Sequence, residues 1–131
     1  MDLKAEKRLR SFFADERDVR LAFLMGSFAK GTARPDSDVD VAVLFGHPFG
    51  PEDVLELKGR LEKLLEKDVD LVVLDRAGPV IRMQALKTGI LLASEKGAYE
   101  EFFTATVNEY DDLKYNRREI EENLLRRRHY A

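Results

Sequence analysis

Residues 26–40 read GSFAKGTARPDSDVD, a Gly-Ser pair followed after ten residues by Asp-x-Asp. An apolar run from Val19 to Met25 leads into this segment, and a second, from Val39 to Phe45, carries the chain onward. The order predicts a strand, a turn of small residues, a short helix, and a second strand with paired carboxylates. This arrangement suits a triphosphate held by the turn and a divalent metal held by the acids.

The Gly-Ser pair is the first candidate binding element. Gly26 lets the chain turn sharply at the end of a strand because it has no Cβ to clash. Ser27 offers a hydroxyl and a backbone N–H at the start of the predicted short helix, where unpaired N–H groups receive phosphate well. We therefore expect Gly26 and Ser27 to bind a phosphate group.

The Asp-x-Asp pair is the second candidate binding element. Asp38 and Asp40 stand two apart on a strand, so both side chains point to the same face. Hard oxygen ligands at this spacing suit Mg²⁺, which proteins usually bind through a few carboxylates and substrate phosphates. Either motif alone is typical of an ordinary turn or a solvated strand end, but their joint occurrence between two strands indicates a functional site.

A third carboxylate, Asp70, lies in the predicted strand Val69 to Leu74. The segment Pro51 to Lys67 before it has leucines at helical spacing, so the two strands are joined by a helical crossover and should pair in parallel. Asp38 and Asp70 then start neighbouring strands at one end of the sheet. An antiparallel first strand would bring Gly26 to the same end.

Side-chain alternation leaves two further acids open. Asp36 and Asp68 could lie on the same face as the predicted site, although Asp36 is expected in the loop after Pro35 and Asp68 at the junction of helix and strand. Asp70 is favoured over Asp68 as the third acid. Whether Asp36 or Asp68 assists the acidic site stays open at this stage.

The remaining pattern predicts an α+β fold, with a small mixed β-sheet, flanking helices and a helical C-terminal tail. We expect residues 1–131 to form a single domain, with a core over 19–93 and a helical segment over 98–130. The other predicted elements are helices over Asp2 to Ala14 and Pro79 to Lys87 and a brief strand over Ile90 to Ala93.

The predicted tail offers little functional information. Its apolar positions at helical spacing indicate a buried face. These positions are Phe102, Phe103, Val107 and Tyr110. The basic run Arg126 to Arg128 suits a solvated last turn that complements the helix dipole, or a docking patch for an acidic partner or RNA.

The signature as a whole resembles the polymerase-β-type nucleotidyltransferase superfamily, and the short chain resembles its minimal nucleotidyltransferases (MNT). Those are typically paired with HEPN-domain toxins in prokaryotic toxin–antitoxin modules. The resemblance implies the polymerase-β-like fold, with Gly26 and Ser27 as the nucleotide-binding turn. It also implies that Asp38 and Asp40 bind Mg²⁺, with ATP as co-substrate, and that Asp70 completes the metal site and activates the acceptor hydroxyl.

By this resemblance the expected activity is Mg²⁺-dependent transfer of AMP from ATP to a hydroxyl, that of a tyrosine, on a cognate HEPN ribonuclease toxin. The protein would then be an antitoxin that neutralises its partner in a hetero-oligomer. Two alternatives are an aminoglycoside-type enzyme that modifies a small molecule and a non-catalytic antitoxin that acts by binding alone. The chain after Leu74 leaves little room for enclosing a small substrate.

Composition limits the surroundings in which the protein works. The 25 acidic and 22 basic residues give a net charge of −3, which disfavours a long nucleic acid as partner. No long apolar run predicts a membrane span, and no secretory signal is recognisable. Cysteine is absent, which excludes disulfides and thiolate zinc sites and fits a reducing compartment. We therefore expect a cytoplasmic protein.

Overall fold

The computed structural model describes residues 3–111 of the 131-residue chain. Helices and strands alternate in the predicted order, and a single 3₁₀ turn, Leu74–Arg76, follows the third strand. The elements are α1 (Leu3–Ala14), β1 (Leu21–Met25), α2 (Gly26–Lys30), β2 (Val39–Leu44), α3 (Pro51–Leu65), β3 (Val69–Val73), α4 (Pro79–Thr88), β4 (Ile90–Ser94) and α5 (98–111).

The predicted boundaries differ from these by one or two residues. Strand β1 begins at Leu21 because the Val19 amide is still in a turn, where it donates to the Glu16 carbonyl. Strand β3 ends at Val73 because Leu74 already belongs to the 3₁₀ turn. Helix α3 ends at Leu65, where Glu66 adopts a left-handed conformation with φ of 53°.

The sheet has four strands in the order β3-β2-β1-β4. Strand β1 runs antiparallel to both β2 and β4, whereas β2 and β3 are parallel and joined by α3. This confirms the predicted mixed sheet and its crossover. As a result, β1 ends where β2, β3 and β4 begin, and all four strands meet at one end of the sheet.

One face of the sheet packs against α1 and α3. The inward positions of β2, Val39, Val41 and Val43, are buried there. They pack with Leu9 of α1 and Leu61 of α3, which are fully buried. Burial of each such aliphatic side chain stabilises the fold by roughly 1.5–3 kcal/mol.

The other face packs against α4 and α5. Phe23 of β1 is its largest fully buried residue and contacts Phe102 of α5, with ring centroids 5.9 Å apart. Ala42 and Ala85 allow α4 to lie close to the strands. Asp40 and Ala42 share this face by strand alternation, as predicted, so the acids of β2 start the face that α4 and α5 cover.

Helix α5 differs in part from the predicted buried face. Phe102 is buried, but the prediction for Phe103 is wrong, because its side chain is 47% exposed. Thr106, one turn on from Phe102, is buried instead. Residues 112–131, including the predicted continuation of the helix to residue 130 and Arg126 to Arg128, lie outside the described residues.

Among residues 3–111, no helix has the length and the apolar character needed to cross a membrane.

Candidate active site

The three predicted acids lie at the end of the sheet where β2 and β3 begin; we call Asp38, Asp40 and Asp70 the acidic end. The parallel register pairs Asp40 with Asp70. Paired residues in neighbouring strands point to the same face and lie about 5 Å apart. Asp38 precedes β2 by one residue and is exposed, as is Asp70, whereas Asp40 is half-buried.

Gly26 lies directly against this acid pair. The antiparallel register sets Met25 opposite Asp40, so the turn that follows Met25 packs on the Asp40 side chain. Gly26 has φ of 64°, and a Cβ added to it would overlap Asp40 Oδ2. Glycine is therefore required at this position for two reasons, the left-handed backbone and the close approach of the carboxylate.

Ser27 begins the short helix α2 beside Gly26. Its carbonyl oxygen accepts the Thr32 amide at 2.9 Å and the Gly31 amide, which closes the helix after little more than one turn. The Ser27 hydroxyl forms no hydrogen bond with the part of the chain that the structure describes. It therefore keeps its hydrogen-bonding capacity for a ligand.

The carboxylates of the acidic end repel one another when no cation is bound. Partial burial raises the pKa of the Asp40 carboxyl above 3.8, and repulsion from Asp70 and Asp38 raises it further. Within residues 3–111, none of these three carboxylates accepts a side-chain hydrogen bond or forms an ion pair. A bound cation would relieve this repulsion.

The two acids that the sequence left open lie to one side. Asp36 and Asp68 line a shallow, open depression of about 500 Å³, which Asp38 and Lys67 also line. Burial raises the pKa of the Asp40 carboxyl, and the repulsion that adds to this comes from Asp70 and Asp38. The structure thus groups Asp70 with Asp40, as preferred from the sequence, and leaves Asp36 and Asp68 at the depression.

A cation site at the acidic end is incomplete without further ligands. Among residues 3–111, no group of three or more His, Cys, Asp or Glu side chains is arranged to hold a metal ion. Mg²⁺ is seldom bound by an all-protein cage and usually takes one or two carboxylates together with substrate phosphates. Asp38, Asp40 and Asp70 offer the carboxylate oxygens that Mg²⁺ prefers, and a bound ligand with phosphate oxygens would complete the coordination.

Comparison with known proteins identifies the family. A model of the polymerase beta nucleotidyltransferase family matches residues 7–97, a segment that contains the whole sheet and the acidic end. The chain belongs to this family. It is therefore a nucleotidyltransferase, as the sequence signature indicated.

Its relatives include a protein of the same size class. The protein adenylyltransferase MntA of Shewanella oneidensis is 32% identical over 107 residues, which cover 82% of this chain and 77% of MntA. A chain of a toxin–antitoxin crystal structure with AMP-PNP superposes with a TM-score of 0.75 at 29% identity, covering 94% of this chain and 99% of that one. The predicted relationship to minimal nucleotidyltransferases is confirmed.

A second solved structure carries a modified toxin. It holds the tri-AMPylated Shewanella oneidensis HEPN toxin in complex with an MNT antitoxin. The match has a TM-score of 0.71 at 27% identity and covers 95% of this chain and 99% of the matched chain. The resemblance thus extends from the core of residues 19–93 to nearly the whole length.

One residue at this site, Lys67, could not be predicted from the sequence. Lys67 follows α3 and reaches the loop between α2 and β2, where its Nζ donates to the Pro35 carbonyl at 2.7 Å. From the sequence it is a lysine near the C-terminus of a helix, a position typical of a solvated charge. No local pattern predicts a partner 32 residues away.

Proposed function

We propose that this protein transfers AMP from ATP to a hydroxyl of a HEPN ribonuclease toxin, that of a tyrosine, and thereby neutralises the toxin. The observation that carries the proposal is the packing of Gly26 on Asp40, with Asp70 paired beside it. A phosphate-binding turn and two carboxylates meet there on one face of the sheet. The relation to the adenylyltransferase MntA and to solved HEPN complexes supports the choice of donor and acceptor.

In the reaction we propose, Gly26 and Ser27 bind the phosphates of ATP through the backbone of the turn and the Ser27 hydroxyl. Asp70 accepts the proton of the incoming hydroxyl, whose oxygen attacks the α-phosphorus. The bond to the β-phosphate oxygen breaks, and pyrophosphate leaves. The protein contributes chiefly by holding the two reactants in line and by stabilising charge.

Asp38 and Asp40, with Asp70, are the residues that would hold Mg²⁺. When bound, Mg²⁺ supplies positive charge that stabilises the entering and leaving oxygens of a phosphoryl transfer. The raised pKa of Asp40 fits this assignment, because it comes from burial and from repulsion by Asp70 and Asp38, and a cation would relieve that repulsion.

A macromolecular acceptor fits the shape of the site. The depression next to Asp38 is shallow and open, and it does not enclose a small substrate. Small-molecule sites are typically concave and bury most of their ligand. A docked protein would close the site from outside, in a hetero-oligomer of antitoxin and toxin. We place the reaction in the cytoplasm, where ATP is available.

Co-expression with a HEPN toxin from the same genome, followed by intact mass measurement, tests the proposal. The toxin should gain one or more AMP groups with the wild type and none with Asp38→Asn. Asp36→Asn is the matched control, because Asp36 is an exposed acid two residues before Asp38 in the loop that leads into β2. If Asp38→Asn neutralises the toxin fully and no AMP appears in any case, the protein is a binding antitoxin.

The separate roles of Ser27 and Asp70 can be tested by titration with AMP-PNP and Mg²⁺. Ser27→Ala should weaken nucleotide binding more than Asp70→Asn does, because Ser27 is assigned to the phosphates and Asp70 to the acceptor. Asp70→Asn should instead abolish transfer. The roles are exchanged if Asp70→Asn loses binding and Ser27→Ala keeps it.

A further inference from the structure

Lys67 connects two parts of the candidate site that are far apart in the chain. It stands between α3 and β3, three residues before Asp70. Its Nζ donates to the carbonyl of Pro35, which belongs to the loop between α2 and Asp38. The same ammonium lies 5.8 Å from the ring centre of Phe28, the residue after Ser27.

The segment from which Lys67 projects is fixed in place. The Glu62 carboxylate accepts the amide of Val69 at 3.1 Å, and the Glu62 carbonyl accepts that of Glu66 at 2.8 Å. The amide of Val39 donates to the Asp68 carbonyl at 2.9 Å, which joins the junction to β2 as well. Lys67 thus starts from a rigid support.

Within residues 3–111, the loop that Lys67 reaches has few other hydrogen bonds to the body of the protein. Its bonds are local: Ser37 Oγ accepts the Arg34 amide at 2.8 Å, and the Ser37 amide donates to the Arg34 carbonyl at 3.0 Å. These bonds shape the turn around Pro35 but do not fasten it to the sheet. The Lys67 hydrogen bond links the loop to the junction of α3 and β3, and the contact of Lys67 with Phe28 links α2 to the same junction.

The hydrogen-bond partner of Lys67 is a neutral carbonyl group, although carboxylates lie nearby. Carboxylates surround it in the shallow depression beside Asp38, yet within residues 3–111 its ammonium forms no ion pair. It donates to a neutral carbonyl at 2.7 Å instead. A charged donor makes a stronger hydrogen bond than a neutral one, and the half-buried position of Lys67 limits competition by water.

We infer that Lys67 is a positioning residue for nucleotide binding, which holds the loop of residues 31–38, and with it α2, against the start of β3. The inference rests on the nucleotide site proposed above. Loss of the ammonium frees the loop, so that Ser27 and Asp38 must be ordered when the nucleotide binds. Ordering of the loop costs conformational entropy when the nucleotide binds, and this cost lowers the affinity for the nucleotide.

Amide hydrogen exchange of the protein without nucleotide tests whether Lys67 holds the loop in place. Lys67→Met retains the aliphatic stem and removes the donor, so the Thr32 and Ser37 amides should exchange faster than in the wild type. Lys67→Arg should restore their protection. Lys63→Met is the matched control, because Lys63 is an exposed lysine in the last turn of α3. Unchanged exchange in Lys67→Met, with an unchanged melting curve, overturns the inference.

Titration with AMP-PNP and Mg²⁺ tests the consequence. We expect Lys67→Met to weaken the affinity about five- to tenfold, the net contribution of one typical intramolecular hydrogen bond, and Lys63→Met to leave it unchanged. Equal affinities for wild type and Lys67→Met would also overturn the inference. If the wild type itself binds no AMP-PNP, the proposed function fails, and hydrogen exchange still decides whether Lys67 holds the loop.

Discussion

The two ends of the sheet treat their polar groups in opposite ways. At the end opposite the acidic end, the Asp75 carboxylate accepts the amides of Phe45 and Gly46, each at 2.9 Å. Arg20 pairs with Glu95 at 2.8 Å in the same region. At the acidic end, three carboxylates repel one another without such partners among the described residues.

This difference separates residues that stabilise the fold from those that we propose to act in the reaction. A carboxylate that accepts two amides holds a strand end in place, as Asp75 does for β2. A group of unpartnered carboxylates lowers stability and is retained for a ligand that neutralises it. Substitutions at the two ends should therefore have opposite effects on activity and stability.

The largest effect is expected from Asp40→Asn. It removes the carboxylate that we propose to hold Mg²⁺ and should lower the rate of AMP transfer about a thousandfold, since such ligands contribute several kcal/mol to phosphoryl transfer. Because the substitution also removes a repelled charge, the variant should be at least as stable as the wild type at neutral pH. Transfer to the toxin and denaturant unfolding measure the two effects.

The pH dependence of the free energy of unfolding tests whether the charge of Asp40 causes this difference in stability. The Asp40 pKa is raised in the folded protein, so the folded state binds this proton more tightly than the unfolded state does. Ionisation of Asp40 therefore has its smallest effect on the free energy of unfolding below pH 3.8. The wild type becomes less stable as the pH rises through the pKa of Asp40 in the folded state. The advantage of Asp40→Asn should vanish on acidification. A variant less stable than the wild type at neutral pH would contradict the assigned repulsion.

Gly26→Ala should have the next largest effect. The new Cβ overlaps the Asp40 carboxylate, and displacement of a reacting group by about 1 Å can cost about a hundredfold in rate. Gly31→Ala is a matched control, because Gly31 has a similar φ of 74° but open space around it. Both variants carry the strain of a left-handed alanine, about 1 kcal/mol, but only Gly26→Ala should lose most of its transfer rate. Equal rates would show that the packing on Asp40 is unimportant.

The acidic end was predictable because its signals are local. Gly26, Asp38 and Asp40 lie within fifteen residues, and strand alternation with one crossover suffices to bring Asp70 beside them. Asp75 and Lys67 could not be predicted in the same way. Their partners lie 30 and 32 residues away in the chain, so only the folded register brings them together.

Helix α5 shows a second limit of pattern reasoning. Phe102 and Phe103 are equally apolar, and helical spacing does not decide which of two neighbours faces the sheet. The contact of Phe102 with Phe23 fixes the rotation of the helix and leaves Phe103 exposed. The buried position then goes to Thr106, which a hydrophobic pattern does not select.

Asp75→Ala should affect stability without affecting chemistry. It leaves the amides of Phe45 and Gly46 without their charged acceptor, and loss of such a bond typically costs about 1–3 kcal/mol. Chemical denaturation measures the loss, and Asp75→Asn, which keeps one acceptor oxygen, should recover part of it. The transfer rate at a temperature well below unfolding should stay near that of the wild type. A fall comparable to that of Asp40→Asn would remove the contrast between the two ends.

The smallest effect is expected from His47, which also lies at the end opposite the acids. Its Nδ1 lies 2.9 Å from the Pro48 carbonyl oxygen and its Nε2 lies 2.8 Å from that of Asp18. Only the imidazolium can donate to both oxygens, so these two contacts raise the His47 pKa above 6.5. The stabilisation is complete below pH 6.5 and is lost as the pH rises through the folded value. The melting temperature of the wild type should therefore exceed that of His47→Gln by more at about pH 5.5 than at about pH 8.5. A difference independent of pH would mean that the ring contributes by packing against Phe45, 6.0 Å away between ring centres, and not by its charge.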